Sequence, residues 1–310
     1  MTDREHRSSL TTRAAIASVG AASLLLLLKA YSAFQTGSVA MLGSLADTSL
    51  DLIASLITLA GVRVAAMPAD HDHRFGHGKA ESLAALVQAI LISLSAVAIA
   101  WRAVLRLLDG QQTQEAANGI LVSLAAIAVT FALLAYQRSV IRRTGSVAIG
   151  ADSVHYQSDL LLNLSVIAAL VLDQYVGLVG ADPLFGLAIA LWLIAAARRA
   201  SANAIDQLMD REWPEEKRKR FVAVAARHPQ GRGIHDLRTR SSGGDEFAQF
   251  HIWIDPNMSV AAAHQVMEEI ENDLKGEFPG VEVLIHLDPE GHVDQPGNAL
   301  VETDETKKES

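Results

Sequence analysis

Two pairs of ionisable residues with the same spacing lie in stretches that are otherwise apolar. Asp47 and Asp51 lie four residues apart in "MLGSLADTSLDLIASLITLAG", and His155 and Asp159 lie four apart in "GADSVHYQSDLLLNLSVIAALVL". Residues four apart share one face of an α-helix. An ionisable side chain in hydrocarbon costs roughly 2.5–3.5 kcal/mol on insertion scales, so it needs a compensating partner. Three carboxylates and one imidazole make a tetrahedral ligand set for Zn²⁺ or a similar divalent ion, which predicts an intramembrane metal site.

A structural alternative exists for each of these residues. The four could be helix-end groups that hydrogen-bond to neighbouring helices, although the pooled pattern favours metal. Asp152 lies one turn before His155, near the predicted membrane edge. For Asp152 alone the sequence favours an acid near a helix N-terminus, where the helix dipole stabilises a negative charge.

Composition divides the chain into a membrane half and an acidic half. Half of the 310 residues are hydrophobic, and there is no cysteine, so thiolate metal sites and disulfides are excluded. Residues 1–205 hold 14 Lys+Arg and 13 Asp+Glu, whereas residues 206–310 hold 12 and 22. The acidic half argues against a nucleic-acid partner and is compatible with cations.

Six apolar runs are long enough to cross a bilayer, at about 14–34, 39–62, 82–108, 118–137, 147–172 and 184–200. Lys and Arg are concentrated at the N-terminus, in the second and fourth connections and after the sixth run. The positive-inside rule therefore predicts that both termini are cytoplasmic.

After about residue 205 the pattern becomes helix, strand, strand, helix, strand. Ser259 is the predicted N-cap of the second of these helices. The sequence thus predicts an N-terminal segment (1–13), a six-helix transmembrane domain (14–205), a cytoplasmic α+β domain (206–290) and a disordered tail (291–310).

A second cluster lies in the connection between the second and third runs, "ADHDHRFGHGK". It supplies five potential ligands in eight residues: Asp70, His71, Asp72, His73 and His77. This density favours a metal site on the cytoplasmic side over isolated surface histidines.

These motifs resemble those of a known family. "GSLADTSLD", "PADHDHRFGHGKAESLAAL" and "ADSVHYQSD" are similar to signature stretches of the cation diffusion facilitators, especially their bacterial zinc and ferrous-iron efflux branch. The resemblance runs from about residue 10 to about 290. It implies six transmembrane helices, a metallochaperone-like cytoplasmic domain, a homodimer and metal/proton antiport.

The resemblance also assigns ligands residue by residue. It places the transport site on Asp47, Asp51, His155 and Asp159, in agreement with the spacing argument. It places a loop site on Asp70, His73 and His77, with His71 as a further candidate. It implies a cytoplasmic-domain site, which spacing alone could not assemble, from His235, His251, His264, His286 and Asp288.

The function expected is export of a divalent metal, foremost Zn²⁺, in exchange for protons across a bacterial inner membrane by alternating access. Metal in the cytoplasmic domain would stabilise or regulate the dimer. Fe²⁺, Cd²⁺, Co²⁺ and Ni²⁺ stay open as cargo, whereas the histidine disfavours a harder ion such as Mn²⁺. The rival is a membrane metal sensor without transport. An enzyme is disfavoured, because no H-E-x-x-H motif or general base beside an open metal position is evident.

Overall fold

The computed structural model describes residues 3–36, 39–109, 119–176, 181–230 and 232–292 of the chain. The chain divides into two compact units, residues 1–206 and residues 207–310. The first unit is all-helical and the second is a small α+β domain. The predicted disordered tail, 291–310, lies outside the described residues from position 293 onward.

The first unit consists of long helices. Their bounds are α1 Asp3–Thr36, α2 Val39–Ala65, α3 Lys79–Asp109, α4 Gly119–Thr144, α5 Val147–Val176 and α6 Ala181–Leu208. Each has at least 26 residues, which exceeds the roughly 20 needed to span hydrocarbon. Most extend beyond the predicted apolar runs, because helical hydrogen bonding continues past the lipid boundary.

Five of these helices, within the described residues, are apolar enough to cross a membrane by length and composition: α1, α2, α3, α4 and α6. The remaining helix, α5, is 30 residues long and contains Asp152, His155 and Asp159. Its length exceeds what a membrane-spanning helix needs, and these three residues lie in its first half.

Small residues set the distances between the helices. A Cβ atom added at Gly61 of α2 would lie 2.3 Å from the Cβ of Ala84 in α3. Only glycine permits this approach, which is typical of packed membrane helices. Alanines 14, 15 and 148 are likewise fully buried in one cluster with Ile149. α5 packs against α3 and α4, and α1 packs against α2 and α4.

The second unit has a three-stranded sheet with two helices. Its elements are α7 Glu215–Ala225, β1 Arg232–Ser242, β2 Asp245–Ile254, α8 Val260–Glu277 and β3 Val281–Pro289. The strands lie in the order β1-β2-β3; β1 pairs antiparallel and β3 parallel with β2. Phe221, Phe250 and Phe278 are buried in the core of this unit.

The predicted order of these elements is confirmed. Ser259 caps α8, and its side chain accepts a hydrogen bond from the Ala262 amide. Pro214 lies at the N-cap of α7, just before the helix. Gly243 lies in the β1–β2 turn with φ of 59°, a conformation that glycine adopts without strain.

Candidate metal-binding sites

Asp51, His155 and Asp159 form the first candidate site, named here the intramembrane site. One ligand atom from each lies within 4.8 Å of the other two. His155 Nε2 lies 2.9 Å from Asp51 Oδ1 and 3.9 Å from Asp159 Oδ2. A single nitrogen atom therefore faces carboxylates from both helices. This is the geometry of a site that can share one cation between α2 and α5.

Asp47, the fourth predicted ligand of this site, is not part of that group. It lies one turn before Asp51 on α2, and its side chain is exposed. The structure therefore brings three of the four predicted residues together.

Lys29 lies beside this site and was not predicted from the sequence. Its ammonium group donates a hydrogen bond of 2.6 Å to Thr48 Oγ1, and Thr48 lies between Asp47 and Asp51. The signal that could have found it is a lysine inside the first apolar run, since a charge at membrane depth is a candidate functional group.

Asp152 is the centre of a buried polar network. α5 begins at Val147, so Asp152 lies in its second turn, and it is fully buried. Its two carboxylate oxygens accept hydrogen bonds from Gln88 Nε2 (3.1 Å) and Gln137 Nε2 (2.8 Å). The sequence predicted an acid near the helix N-terminus; the structure adds that α3 and α4 cover this face of α5, so that two glutamine amides contact the carboxylate.

The same network joins four further polar side chains. Gln88 also donates to Thr58 Oγ1, and Gln137 donates to Ser18 Oγ. The Tyr156 hydroxyl lies 2.8 Å from Ser55 Oγ and donates to the backbone oxygen of Ser18. Because Tyr156 follows His155 directly, these contacts hold α5 against α1 and α2 beside the intramembrane site.

The loop site consists of Asp70, His73 and His77, which the structure brings together. Asp70 Oδ1 lies 3.2 Å from His73 Nδ1, and Asp70 Oδ2 lies 3.3 Å from His77 Nε2. Gly76, with φ of 77°, allows the turn that returns His77 toward Asp70. The hydrogen bond from the His73 amide is the largest effect that lowers the pKa of Asp70. The carboxylate is therefore ready for a cation in neutral solution.

The two other predicted candidates in this loop lie outside the group. His71 and Asp72 are exposed, and the Asp72 amide donates to Asp70 Oδ1. Asp72 therefore contributes its backbone to the site.

The cytoplasmic-domain site consists of His235, His251 and Asp288. Strand register creates it: His235 pairs with His251 across β1 and β2, and His251 pairs with His286 across β2 and β3. Asp288 Oδ2 lies 3.2 Å from His235 Nε2 and 2.8 Å from His251 Nδ1. Side chains from three strands thus meet at one carboxylate.

His235 has the environment expected of a metal ligand. Its Nδ1 lies 2.7 Å from the Gly233 carbonyl oxygen, to which it can only donate, so in the neutral imidazole that binds metals Nε2 carries the lone pair. That Nε2 atom is buried and makes no hydrogen bond. A lone pair that faces a carboxylate oxygen without a proton between them is unfavourable, and a cation between the two removes this conflict. The residues present therefore fit a bound metal.

The last two predicted ligands of this domain have different positions. His286 is exposed, and its Nε2 lies 3.3 Å from Asp288 Oδ1, on the opposite oxygen from His235. His264 lies on α8 and pairs with Glu268 at 3.4 Å, so it is not in the cluster.

Asp236 is a further residue near this site that was not predicted from the sequence. Its Oδ2 lies 3.8 Å from His251 Nε2, because a β1 irregularity and a φ of 51° turn it toward the site.

Comparisons with known proteins agree with this architecture. The family model for the cation efflux transmembrane domain matches residues 15–209, and that for the cation efflux protein cytoplasmic domain matches residues 213–290. The chain belongs to the cation efflux family. The predicted resemblance is thus confirmed, and the chain is a multi-pass cation efflux transporter of a metal-binding family with two domains.

Individual relatives cover nearly the whole chain. The cation-efflux pump FieF of Cronobacter sakazakii is 42% identical over 280 residues, which are 90% of this chain and 93% of that protein. The FieF of Pectobacterium atrosepticum is 40% identical over 284 residues, 92% of this chain and 94% of that protein. A solved structure of the zinc form of CzrB, described as a candidate zinc transporter, is 34% identical over 27% of this chain and 98% of its own, with a TM-score of 0.26.

Proposed function

We propose that this transporter exports Zn²⁺ from the cytoplasm in exchange for protons, and that Asp47, Asp51, His155 and Asp159 hold the ion in transit. The observation that supports this most is the position of His155 Nε2, 2.9 Å from Asp51 Oδ1. An ionised carboxylate only accepts hydrogen bonds, so this contact needs a proton on Nε2 when no metal is bound.

Metal and proton then compete for the same atom. A metal-binding imidazole nitrogen must offer its lone pair, so binding releases the proton that Nε2 holds. A site that takes up metal on the cytoplasmic side sheds protons there, and protons that enter from outside displace the ion. The inward proton gradient therefore drives metal outward.

The ligand chemistry supports Zn²⁺ as the main cargo. A mixed set of imidazole and carboxylates suits Zn²⁺, whereas Mn²⁺ would favour a carboxylate in place of His155. Fe²⁺, Cd²⁺, Co²⁺ and Ni²⁺ are alternative substrates, because nitrogen and oxygen ligands do not separate them by affinity alone.

We further propose that two copies of the chain form a homodimer in the bacterial inner membrane, with both termini cytoplasmic. Two acidic cytoplasmic domains repel one another, and bound cations relieve that repulsion. Metal at His235, His251 and Asp288, with His286 and His264 as further ligands, would then stabilise the dimer and bias the transport cycle.

The deciding experiment measures Zn²⁺ flux into proteoliposomes under an imposed pH gradient, for the wild type and for Asp159→Ala. Flux that requires the gradient and is lost in the variant supports the proton-coupled carrier. Wild-type flux that ignores the gradient would contradict the antiport. If there is no flux with Zn²⁺, Fe²⁺, Cd²⁺, Co²⁺, Ni²⁺ or Mn²⁺, the metal-sensor alternative is favoured and the proposed carrier is wrong.

A further inference from the structure

Lys29 is a charged residue inside an apolar helix. It lies seven residues before the end of α1, in the run "SLLLLLKAYSAF". Lysines near helix ends usually extend their ammonium group to the membrane surface. Here the ammonium is directed inward, because it donates a hydrogen bond of 2.6 Å to the hydroxyl of Thr48, which is only 2% exposed.

The position of Thr48 brings that positive charge to the carboxylates. Thr48 follows Asp47 directly on α2 and precedes Asp51 by three residues. The ammonium also interacts electrostatically with the carboxylate of Asp159 on α5. Within the described residues Lys29 forms no ion pair, so it is held near the carboxylates by a neutral hydroxyl group.

We propose that Lys29 is an internal counter-ion that sets the net charge of the transport site; this inference rests on the proposed function. Asp47, Asp51 and Asp159 supply three negative charges, and Lys29 returns one positive charge, which leaves two negative charges with a neutral His155. A divalent cation then makes the loaded site neutral. A neutral loaded site can rearrange in a low-dielectric membrane at the least cost.

Two opposite effects follow if the ammonium is removed. The metal binds more tightly, because a like charge no longer opposes it. The loaded site then keeps one uncompensated negative charge, so the conformational step that moves the ion becomes slower. A lysine with only a structural role would not combine tighter binding with slower transport.

The test compares three variants in proteoliposomes, with initial Zn²⁺ flux measured against Zn²⁺ concentration. Lys29→Met removes the charge and keeps the length; we expect KM to fall about tenfold and the maximal rate to fall about tenfold. Lys29→Arg retains the charge and should stay within about twofold of the wild type. Thr48→Val keeps the ammonium but removes the hydroxyl that holds it near the carboxylates. It should lower both KM and the maximal rate, as Lys29→Met does, but only by about threefold.

A binding measurement separates this inference from the proposed function. Zn²⁺ affinity is measured in detergent with the loop and cytoplasmic-domain sites removed by His73→Ala and His235→Ala. Adding Lys29→Met to this background should tighten binding about tenfold, whether or not the wild type transports. Unchanged affinity in the Met variant would overturn the inference, as would equal losses of rate in the Met and Arg variants. If the Met variant does not fold, an unchanged KM in Thr48→Val overturns it.

Discussion

The intramembrane site and the cytoplasmic-domain site use the same two residue types but hold them differently. In the first, two helices supply the ligands, and His155 Nε2 lies 2.9 Å from Asp51 Oδ1, a contact that needs a proton on Nε2 when no metal is bound. In the second, hydrogen-bonded strands fix the ligands, and His235 Nε2 is buried without a hydrogen bond. A ligand that can exchange a proton suits cargo in transit, whereas a buried lone pair beside a carboxylate suits a metal that stays.

The neighbours of each site extend this contrast. α5 is held to four other helices by side-chain hydrogen bonds around Asp152 and Tyr156, which can break and reform. His235, His251 and His286 lie on paired strands, where a shift of register by one residue would move every side chain to the other face.

The largest effect is expected from Asp159→Asn. The amide keeps the shape of the side chain but loses the charge that a divalent ion requires, so proton-driven Zn²⁺ flux should fall to the level of protein-free liposomes. Flux assays in proteoliposomes measure this, and Asn163→Ala is a control from the next turn of α5. Normal flux in Asp159→Asn would mean that the intramembrane site does not hold the transported ion, and its contrast with the cytoplasmic-domain site would be wrong.

His235→Ala should have the opposite combination of effects on zinc flux and on zinc-dependent stability. We expect it to retain at least about a third of the flux but to lose the stabilisation by Zn²⁺, which for the wild type is about 2.7 kcal/mol at a hundredfold excess over Kd. Thermal unfolding of the full chain with and without Zn²⁺ measures this. His228→Ala, which changes a histidine of the same domain that pairs with Glu269 outside the cluster, should keep the zinc-dependent shift. Loss of flux with retained zinc stabilisation in His235→Ala would instead place His235 on the transport path.

Gly233→Ala should destabilise the cytoplasmic domain even without metal. Gly233 has φ of +57°, and an added Cβ would lie 2.1 Å from Trp253 Cε3. We expect a loss of about 2–4 kcal/mol in free energy of unfolding, together with weaker zinc stabilisation because the Gly233 carbonyl orients His235. Gly280→Ala is the matched control, since Gly280 has φ of +88° but open space around its Cα. It should cost only about 1 kcal/mol, and equal losses in denaturant titrations would show that the contact with Trp253 adds nothing.

Asp70→Asn should give the smallest effect, a change in flux below about threefold, because the loop site is solvent-exposed and binds metal weakly in high dielectric. The His73 amide lowers the pKa of Asp70, so the carboxylate's contribution to stability is present above its unfolded pKa and is lost only as pH falls through the lowered folded pKa. Asp70 should therefore stay ionised and able to bind zinc in more acidic solution than an ordinary aspartate does. Isothermal titration of the full chain between neutral and acidic pH, with Asp70→Asn for comparison, checks this. A tenfold loss of flux in the variant would make the loop part of the transport path.

Local sequence patterns determined much of the organisation of this protein. The apolar runs, the four-residue spacing of His155 and Asp159, and the Ser259 cap all depend on neighbours within one or two helical turns. Such signals survive in a linear sequence because helix periodicity and capping are local properties. The family motifs added the ligand assignments that spacing could not supply.

Tertiary structure decided what depends on distant parts of the chain. Only packing revealed that α3 and α4 bury Asp152, and only strand register aligned His235, His251 and His286. Only the approach of α1 to α2 placed the Lys29 ammonium on Thr48, from 19 residues away. Helix contacts and strand register reflect burial and hydrogen bonding summed over whole elements, so no short stretch of sequence contains them.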